Sequence, residues 1–245
     1  MYFGMFDPTV ILLIPAIIFS LYAQAKVKSA YSRYSGIANR RGLTGRQAAR
    51  MILDSNGLSH VPKQKVSGTL TDHDDPSKDV MRLSAQVYNG TSRAAVSIAA
   101  HESGHAIQDG TAYGFLRFRK AIAPVVNLVS AASWPLLLIG LMIIWAGNRT
   151  TGNLIFDLGV IFFAVVVLFH TITLPVEFNA SSRAVKQLQA LNIIDASEVK
   201  GARKVLSAAA MTYVAALATA VANLIRILMI RGALDGYKQK DRLTF

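Results

Sequence analysis

Residues 154–174 read LIFDLGVIFFAVVVLFHTITL, an apolar run in which Asp157 is the single Asp, Glu, Lys or Arg. A helix needs roughly 20 such residues to cross the hydrocarbon core of a bilayer. The run therefore predicts a membrane-spanning helix, and three other segments of the chain have the same apolar character. The four expected spans cover approximately residues 9–24, 121–146, 154–175 and 207–230.

The composition of the 245-residue chain also favours a membrane protein. Hydrophobic residues make up 52% of it and charged residues 16%, which is less charge than the surface of a soluble domain usually carries. The sequence has no cysteine, which excludes disulfides, thiolate metal sites and cysteine nucleophiles. Any metal site must therefore use His, Asp and Glu side chains.

The net charge of +12 comes from 26 Lys and Arg against 14 Asp and Glu. Most cations lie in residues 26–120 and 183–204, a distribution typical of cytoplasmic loops that face anionic lipid. No basic motif interleaved with aromatic residues occurs, so we expect no nucleic-acid partner. We expect the protein to lie in the cell membrane (the inner, or plasma, membrane), with regions 25–120 and 176–206 on its cytoplasmic side. The basic tail after the last span runs against this rule and leaves the direction of that span open.

Three local patterns predict the polar part of the fold. A capping threonine and an apolar stripe predict a helix over 45–54. Residues 66–71 and 79–84 are β-compatible, and the turn-rich run between them predicts a small hairpin. Capping residues at 89–92 and a stop at Gly110 predict a further helix over 93–110.

That last helix carries an HExxH motif, His101-Glu102-Ser103-Gly104-His105. Residues four apart lie on one helix face, so His101 and His105 can bind a single cation, and zinc suits such nitrogen donors. Glu102 lies one step around the helix, where it can act as general base on a zinc-activated water. The small and apolar flanks of the motif favour a packed helix over a solvent-facing helix with incidental histidines.

A catalytic zinc usually has three protein ligands and one open position. No third histidine follows closely, and Glu177, directly after the third span, is the best candidate for the remaining ligand. Two membrane crossings separate it from the motif, which returns it to the same side of the membrane. His170 is more typical of a packing residue within a span, and His73 of a solvated turn.

At these residues the sequence resembles the YugP-type neutral zinc metallopeptidases, a family of bacterial multi-pass membrane proteins. The resemblance extends over almost the whole chain. Its landmarks are residues 21–28, 70–76, 83–92, 99–108, 174–181 and 212–216.

The resemblance implies a relative of the gluzincins, similar to the HtpX-type and prenyl-processing membrane endopeptidases. In that group a glutamate from a later helix completes the zinc site, which implies Glu177 as the third ligand. An aspartate four residues after that glutamate often orients a zinc-bound histidine. Ser181 occupies this position here, and its hydroxyl can accept a hydrogen bond but supplies no negative charge.

Two further roles follow from the resemblance. In such peptidases the strand before the active-site helix can receive the substrate as an added strand, so we expect Met81, Arg82, Leu83 and Ser84 to bind extended peptide. Tyr213 is a candidate donor to the developing oxyanion, with an interfacial anchor as the alternative role for this tyrosine.

The sequence thus predicts a mainly α fold, a multi-pass membrane helical bundle with a small α+β cytoplasmic metalloprotease subdomain, as a single domain over 1–245. The protein is predicted to be a zinc-dependent endopeptidase that binds one catalytic Zn²⁺. Its expected partners are the lipid bilayer in which its spans lie and, as substrates, membrane or membrane-adjacent polypeptides. The alternative is a non-catalytic zinc-binding membrane scaffold or quality-control factor, which would not need Glu102 as a base. Metal transport is disfavoured because the spans carry few ionisable groups. No oligomeric state is predicted.

Overall fold

A computed structural model describes residues 8–75, 78 and 80–242, with side chains described as far as residue 234. The chain is mainly helical, with 77% helix, which confirms the mainly α prediction. Seven α-helices and three strands are described: α1 (Leu13–Ser35, preceded by a 3-10 turn at Pro8–Leu12), α2 (Gly45–Ser55), β1 (Lys63–Val66), β2 (His73–Asp75), β3 (Val80–Ser84), α3 (Ala85–Asn89), α4 (Arg93–Gly110), α5 (Gly114–Trp145), α6 (Arg149–Ala190) and α7 (Val199–Arg242).

Among the described residues, four helices are long and apolar enough to cross a membrane, and each overlaps one predicted span. They are Pro8–Ser35, Gly114–Trp145, Arg149–Ala190 and Val199–Leu234. The third of them, α6, has 42 residues and is therefore about 63 Å long at 1.5 Å per residue. The hydrocarbon core is only about 30 Å thick, so α6 extends well beyond it. About half of the polar interval expected after the third span is thus a continuation of the same helix, which ends at Ala190.

The chain forms two compact units. The first unit lies within Met1–Leu21, Arg119–Ile172 and Val214–Phe245. Its core combines side chains of α5, α6 and α7, including Leu137, Phe156 and Ile227. Gly140 lets α5 approach α6 closely, because a Cβ there would lie 2.6 Å from the backbone nitrogen of Phe156. Large apolar side chains also face outward from this unit, as the exposed Leu128 does, which suits a surface in contact with lipid.

Three ionisable groups in the first unit, Asp157, Arg226 and Arg231, have polar partners. Asp157 accepts two hydrogen bonds from Arg231, at 2.6 Å from Nε and 3.1 Å from Nη2. Arg226, whose partner the sequence did not indicate, donates from Nε to the Thr9 hydroxyl at 3.2 Å. These contacts hold α7 against α6 and against the turn before α1.

The second unit comprises Tyr22–Phe118 and Thr173–Tyr213. Its core lies between α2 and α4 on one side and the polar end of α6 with the start of α7 on the other; Ile52, Val96 and Leu188 are buried there. Thr44 caps α2 through a capping box with Gln47, which confirms the predicted start of this helix.

The sheet of the second unit has the order β1-β3-β2. β2 and β3 pair antiparallel, as the predicted hairpin requires, and β1 pairs with β3 in parallel. The expected strand over 66–71 is wrong: Gly68 and Leu70 have φ of +100° and +57°, in the left-handed region that an extended strand excludes. The chain therefore turns there. β1 ends at Val66, the first residue of the expected strand, and β2 begins at His73, after its last.

Candidate metal centre

The two histidines of the motif lie on α4, whose observed bounds agree with the prediction from sequence. The hydroxyl of Ser92 accepts a hydrogen bond from the backbone N–H of Ala95 and so caps the helix. His101 and His105 lie one turn apart on the same face, with ring centroids separated by 4.7 Å. Both side chains are half-buried, so the pair forms one wall of a sheltered site.

Gly104, inside the motif, determines how closely α4 approaches α6. A Cβ at this position would lie 2.5 Å from the carbonyl oxygen of Ala180, closer than real Cβ contacts occur. The absent side chain therefore lets the two helices come into backbone contact. This contact brings Glu177, one turn before Ala180 on α6, opposite the histidines.

Glu177 lies against both imidazoles. Its Oε2 is 3.4 Å from Nε2 of His101 and 3.5 Å from Nε2 of His105. Among the described residues these three form the set able to hold a metal ion, with ligand atoms within 4.8 Å of one another. Metal–ligand bonds of about 2.0–2.1 Å in a tetrahedral site place neighbouring ligands about 3.3 Å apart. Both the donor types and the two observed distances therefore fit zinc.

The other nitrogen of each ring has its own hydrogen-bond partner. Nδ1 of His101 is hydrogen-bonded to the Ser181 hydroxyl at 3.2 Å. Nδ1 of His105 donates to Oε1 of Gln108 at 3.0 Å, because a side-chain carbonyl can only accept. Each ring is thereby oriented with Nε2 toward Glu177.

Gln108 was not identified from the sequence, although it follows His105 by three residues on the same helix. Its side chain is fully buried, and its Nε2 donates to the carbonyl of Val176 at 2.8 Å and to Oδ1 of Asn179 at 3.0 Å. One amide thus connects a candidate ligand on α4 to the backbone beside Glu177 on α6.

Glu102 is buried, and its Oε2 accepts a hydrogen bond from the backbone N–H of Asp74 at 3.0 Å. Burial raises the pKa of Glu102 to about 7, with His101 opposing the shift and nearby carboxylates, Asp72 among them, adding to it. A carboxyl group with this pKa can both accept and release a proton near neutrality.

The prediction that Met81, Arg82, Leu83 and Ser84 receive an added peptide strand is wrong. These residues lie in β3, the central strand, and β1 pairs with all four of them while β2 pairs with Met81 and Arg82. Beyond the end of β2, the N–H of Ser84 donates to the Asp72 carboxylate at 2.7 Å. Since both edges of β3 are engaged, the edge of the sheet beside Glu102 belongs to β2.

A cavity of about 200 Å³ opens beside Glu102 and His101. Tyr213 also lines it, with 37% of its surface exposed, so this tyrosine shares a cavity with the candidate base. Two other histidines considered as ligands lie elsewhere: His73 is exposed and bonds through Nδ1 to the Thr71 carbonyl, and His170 stacks edge-on against Phe169 in the first unit.

Comparison with known proteins gives two matches. The model of a family described as "putative neutral zinc metallopeptidase" matches residues 9–232. The chain is 48% identical over 221 residues to the "Putative membrane protease YugP" of Bacillus subtilis (strain 168), a match that covers 90% of this chain and 95% of that protein. No solved structure matches. Both matches agree with the resemblance inferred from the sequence.

Proposed function

Because the chain belongs to this family of neutral zinc metallopeptidases, we propose that it is a membrane-bound, zinc-dependent endopeptidase. The observation that carries the proposal is the convergence of His101, His105 and Glu177 beside the buried carboxyl group of Glu102. A zinc site that served structure alone would not need an acid at that position.

His101, His105 and Glu177 would hold one zinc ion. Bound there, zinc supplies Lewis-acid chemistry, which acidifies a water molecule and polarises a peptide carbonyl. Glu102 takes a proton from the attacking water and passes it to the departing amine nitrogen as the C–N bond breaks. Ser181 and Gln108 hold the two imidazoles in the orientation that ligation requires.

Tyr213 is the proposed donor to the oxygen that gains negative charge, because it lines the same cavity as Glu102 and its side chain is accessible. The edge of β2, next to Glu102, is the proposed place for extended substrate backbone. This replaces β3 in that role.

The proposed substrates are membrane or membrane-adjacent polypeptides, hydrolysed on the cytoplasmic side of the cell membrane. Two features support this. The basic regions 25–120 and 176–206 contain the candidate ligands, and excess Lys and Arg favours the cytoplasmic side. In addition, Glu177 lies on α6, a helix that also contains a candidate membrane span.

The test compares the wild type with Glu102→Gln, both purified in detergent, for zinc content and for casein cleavage. Equal zinc with cleavage by the wild type alone supports the proposal. Asp109→Asn makes the same chemical change two turns further along α4 and should cleave like the wild type. Equal cleavage by wild type and Glu102→Gln would exclude Glu102 as the base, and zinc binding without any cleavage would favour the scaffold alternative.

A further inference from the structure

We propose that the cavity beside Glu102 is a specificity pocket for a bulky apolar side chain, such as leucine or phenylalanine, on a substrate residue that flanks the scissile bond. The inference rests on the proposed peptidase function and names the substrate class of that site. It assigns the preference to the walls of the cavity, and to Ala209 of α7 in particular.

The chemical character of the cavity changes from one end to the other. His101, Glu102 and Asp72 lie at the polar end, where the peptide bond would be cleaved. Most of the remaining wall is apolar and is made by α1, α4, α7 and the loop before β2: Val27, Leu70, Ile98, Val205, Leu206 and Ala209. Thr212 and Tyr213 of α7 complete the lining. A side chain that enters this end leaves its backbone beside Glu102.

The apolar wall is in register with the candidate base. Ile98 precedes Glu102 by four residues on α4, so the two side chains lie on the same helix face, one turn apart. A substrate side chain packed on Ile98 would therefore place its own carbonyl one helical turn away, at the level of Glu102 and His101. The same cavity would thus bind the substrate side chain and contain the group that acts on the peptide bond.

The size of the cavity suits a large side chain. It measures about 200 Å³, and an apolar cavity of about 150 Å³ is enough to bind benzene. Ala209 contributes to this space because its methyl group is the smallest of the apolar side chains that line the wall. A larger residue at this position would fill the pocket.

Charged substrate side chains fit less well. An acidic side chain would meet Asp72 and Glu102 and would be repelled. A basic side chain would gain less from Asp72 than from a carboxylate without other partners, because its two oxygens already accept from the N–H and the hydroxyl of Ser84 at 2.7 and 3.0 Å. Burying a charge against the remaining apolar wall would be costly.

The experiment uses two peptides that differ only at the residue flanking the scissile bond, leucine in one and alanine in the other. For the wild-type protein in detergent we expect kcat/KM to favour the leucine peptide by at least roughly 10- to 200-fold, the range for a single methylene group in an apolar pocket, because leucine is larger than alanine by more than one such group. Ala209→Phe should abolish this preference while it retains zinc. Ser207→Phe, two residues away on α7 and outside the cavity, is the matched control and should keep the preference for leucine.

Ala209→Val is a smaller change and should reduce the preference for leucine in part. It replaces Ala209→Phe as the test if the phenylalanine variant does not fold.

A binding measurement separates failure of the pocket from failure of the peptidase. In the Glu102→Gln background, fluorescence anisotropy should show tighter binding of the leucine peptide, and adding Ala209→Phe should remove the difference. If the wild type cleaves both peptides equally, or if Ala209→Phe keeps the leucine preference, the pocket assignment is overturned while the peptidase stands. If zinc-loaded wild type cleaves neither peptide, the proposed function is overturned; equal binding of both peptides then overturns the pocket as well.

Discussion

Two buried glutamates of the second unit lie in opposite surroundings. Glu198 has a fully buried side chain with a cation beside it, since Nε of Arg93 is 3.1 Å from Oε1. Its two oxygens also accept the backbone N–H groups of Arg40 and Asp195, each at 3.1 Å. These bonds connect the loop before α2, the start of α4 and the turn before α7, so Glu198 serves the fold.

Glu102 is also buried, yet its surroundings disfavour its charge. It accepts one backbone N–H, from Asp74, and the carboxylates of Asp72 and Glu177 lie near enough to raise its pKa further. A carboxyl group in a cavity whose surroundings raise its pKa is a functional candidate, whereas an acid paired with arginine is a structural one. The difference teaches that burial alone does not mark the site. Glu198 faces a cation and two backbone donors, whereas Glu102 has one backbone donor and neighbouring carboxylates whose effect His101 opposes.

The largest expected effect is on activity, from Glu102→Gln. We predict that kcat falls by about 100- to 10,000-fold, the usual contribution of a general acid–base group. The unfolding temperature should stay level or rise, because the neutral amide removes the repulsion between the carboxylate of Glu102 and the carboxylates around it. A large loss of thermal stability would instead give Glu102 the same structural role as Glu198.

For Glu198→Gln we predict the converse, a loss of about 3 kcal/mol in unfolding free energy, because Arg93 loses its buried counter-charge. The value is at the low end for a buried pair, since the Arg93 side chain is 22% exposed. Denaturant unfolding measures it. Asp195→Asn is the control: its pair with Arg40 is exposed, and such pairs contribute about 0–1 kcal/mol. Equal losses in the two variants would contradict the structural role of Glu198.

Gln108→Ala should lower zinc affinity by about 10- to 100-fold, the range for residues that orient metal ligands. Chelator competition measures this directly. Gln108→Glu keeps an oxygen acceptor for Nδ1 of His105 but puts an oxygen where the amide donates to Val176 and Asn179, so it should not restore the wild-type affinity. Gln187→Ala, which removes a glutamine that bonds Asn56 instead, is the matched control. If zinc affinity is unchanged in Gln108→Ala, the bond to His105 does not position the ligand.

The smallest effect is expected at Ser181. Ser181→Ala should weaken zinc binding by about tenfold or less, because a neutral hydroxyl orients His101 without adding charge. Ser181→Asp should strengthen binding relative to the wild type, and Ser182→Ala, at the exposed neighbouring position, should leave it unchanged. Tighter binding in Ser181→Ala would show that the hydroxyl opposes ligation.

The parts of this arrangement that depend on local periodicity could be predicted from the sequence. The spans follow from continuous apolar runs, and the pairing of His101 with His105 follows from the helical repeat. Counting membrane crossings predicts Glu177 on the same side of the membrane as these histidines. The structure brings its carboxylate to the imidazole rings of both.

The parts that depend on contacts between distant segments could not be predicted. The left-handed backbone at Leu70 ends the strand expected over 66–71, so β1 and β2 lie at other positions in the sequence than predicted. The position of β3 between two neighbouring strands is visible only in the three-dimensional pairing. The role of Gln108 depends on the close approach of α4 and α6 at Gly104, which no spacing rule encodes. The like-charge surroundings of Glu102 likewise come from Asp72 and Asp74, some thirty residues away in sequence.

The central claim, that His101, His105 and Glu177 hold the metal beside Glu102, is tested most directly by zinc stoichiometry. Metal analysis of folded, purified protein should give one zinc per chain for the wild type and for Glu102→Gln, and far less for Glu177→Ala. Full zinc in Glu177→Ala, bound as tightly as in the wild type, would contradict the claim.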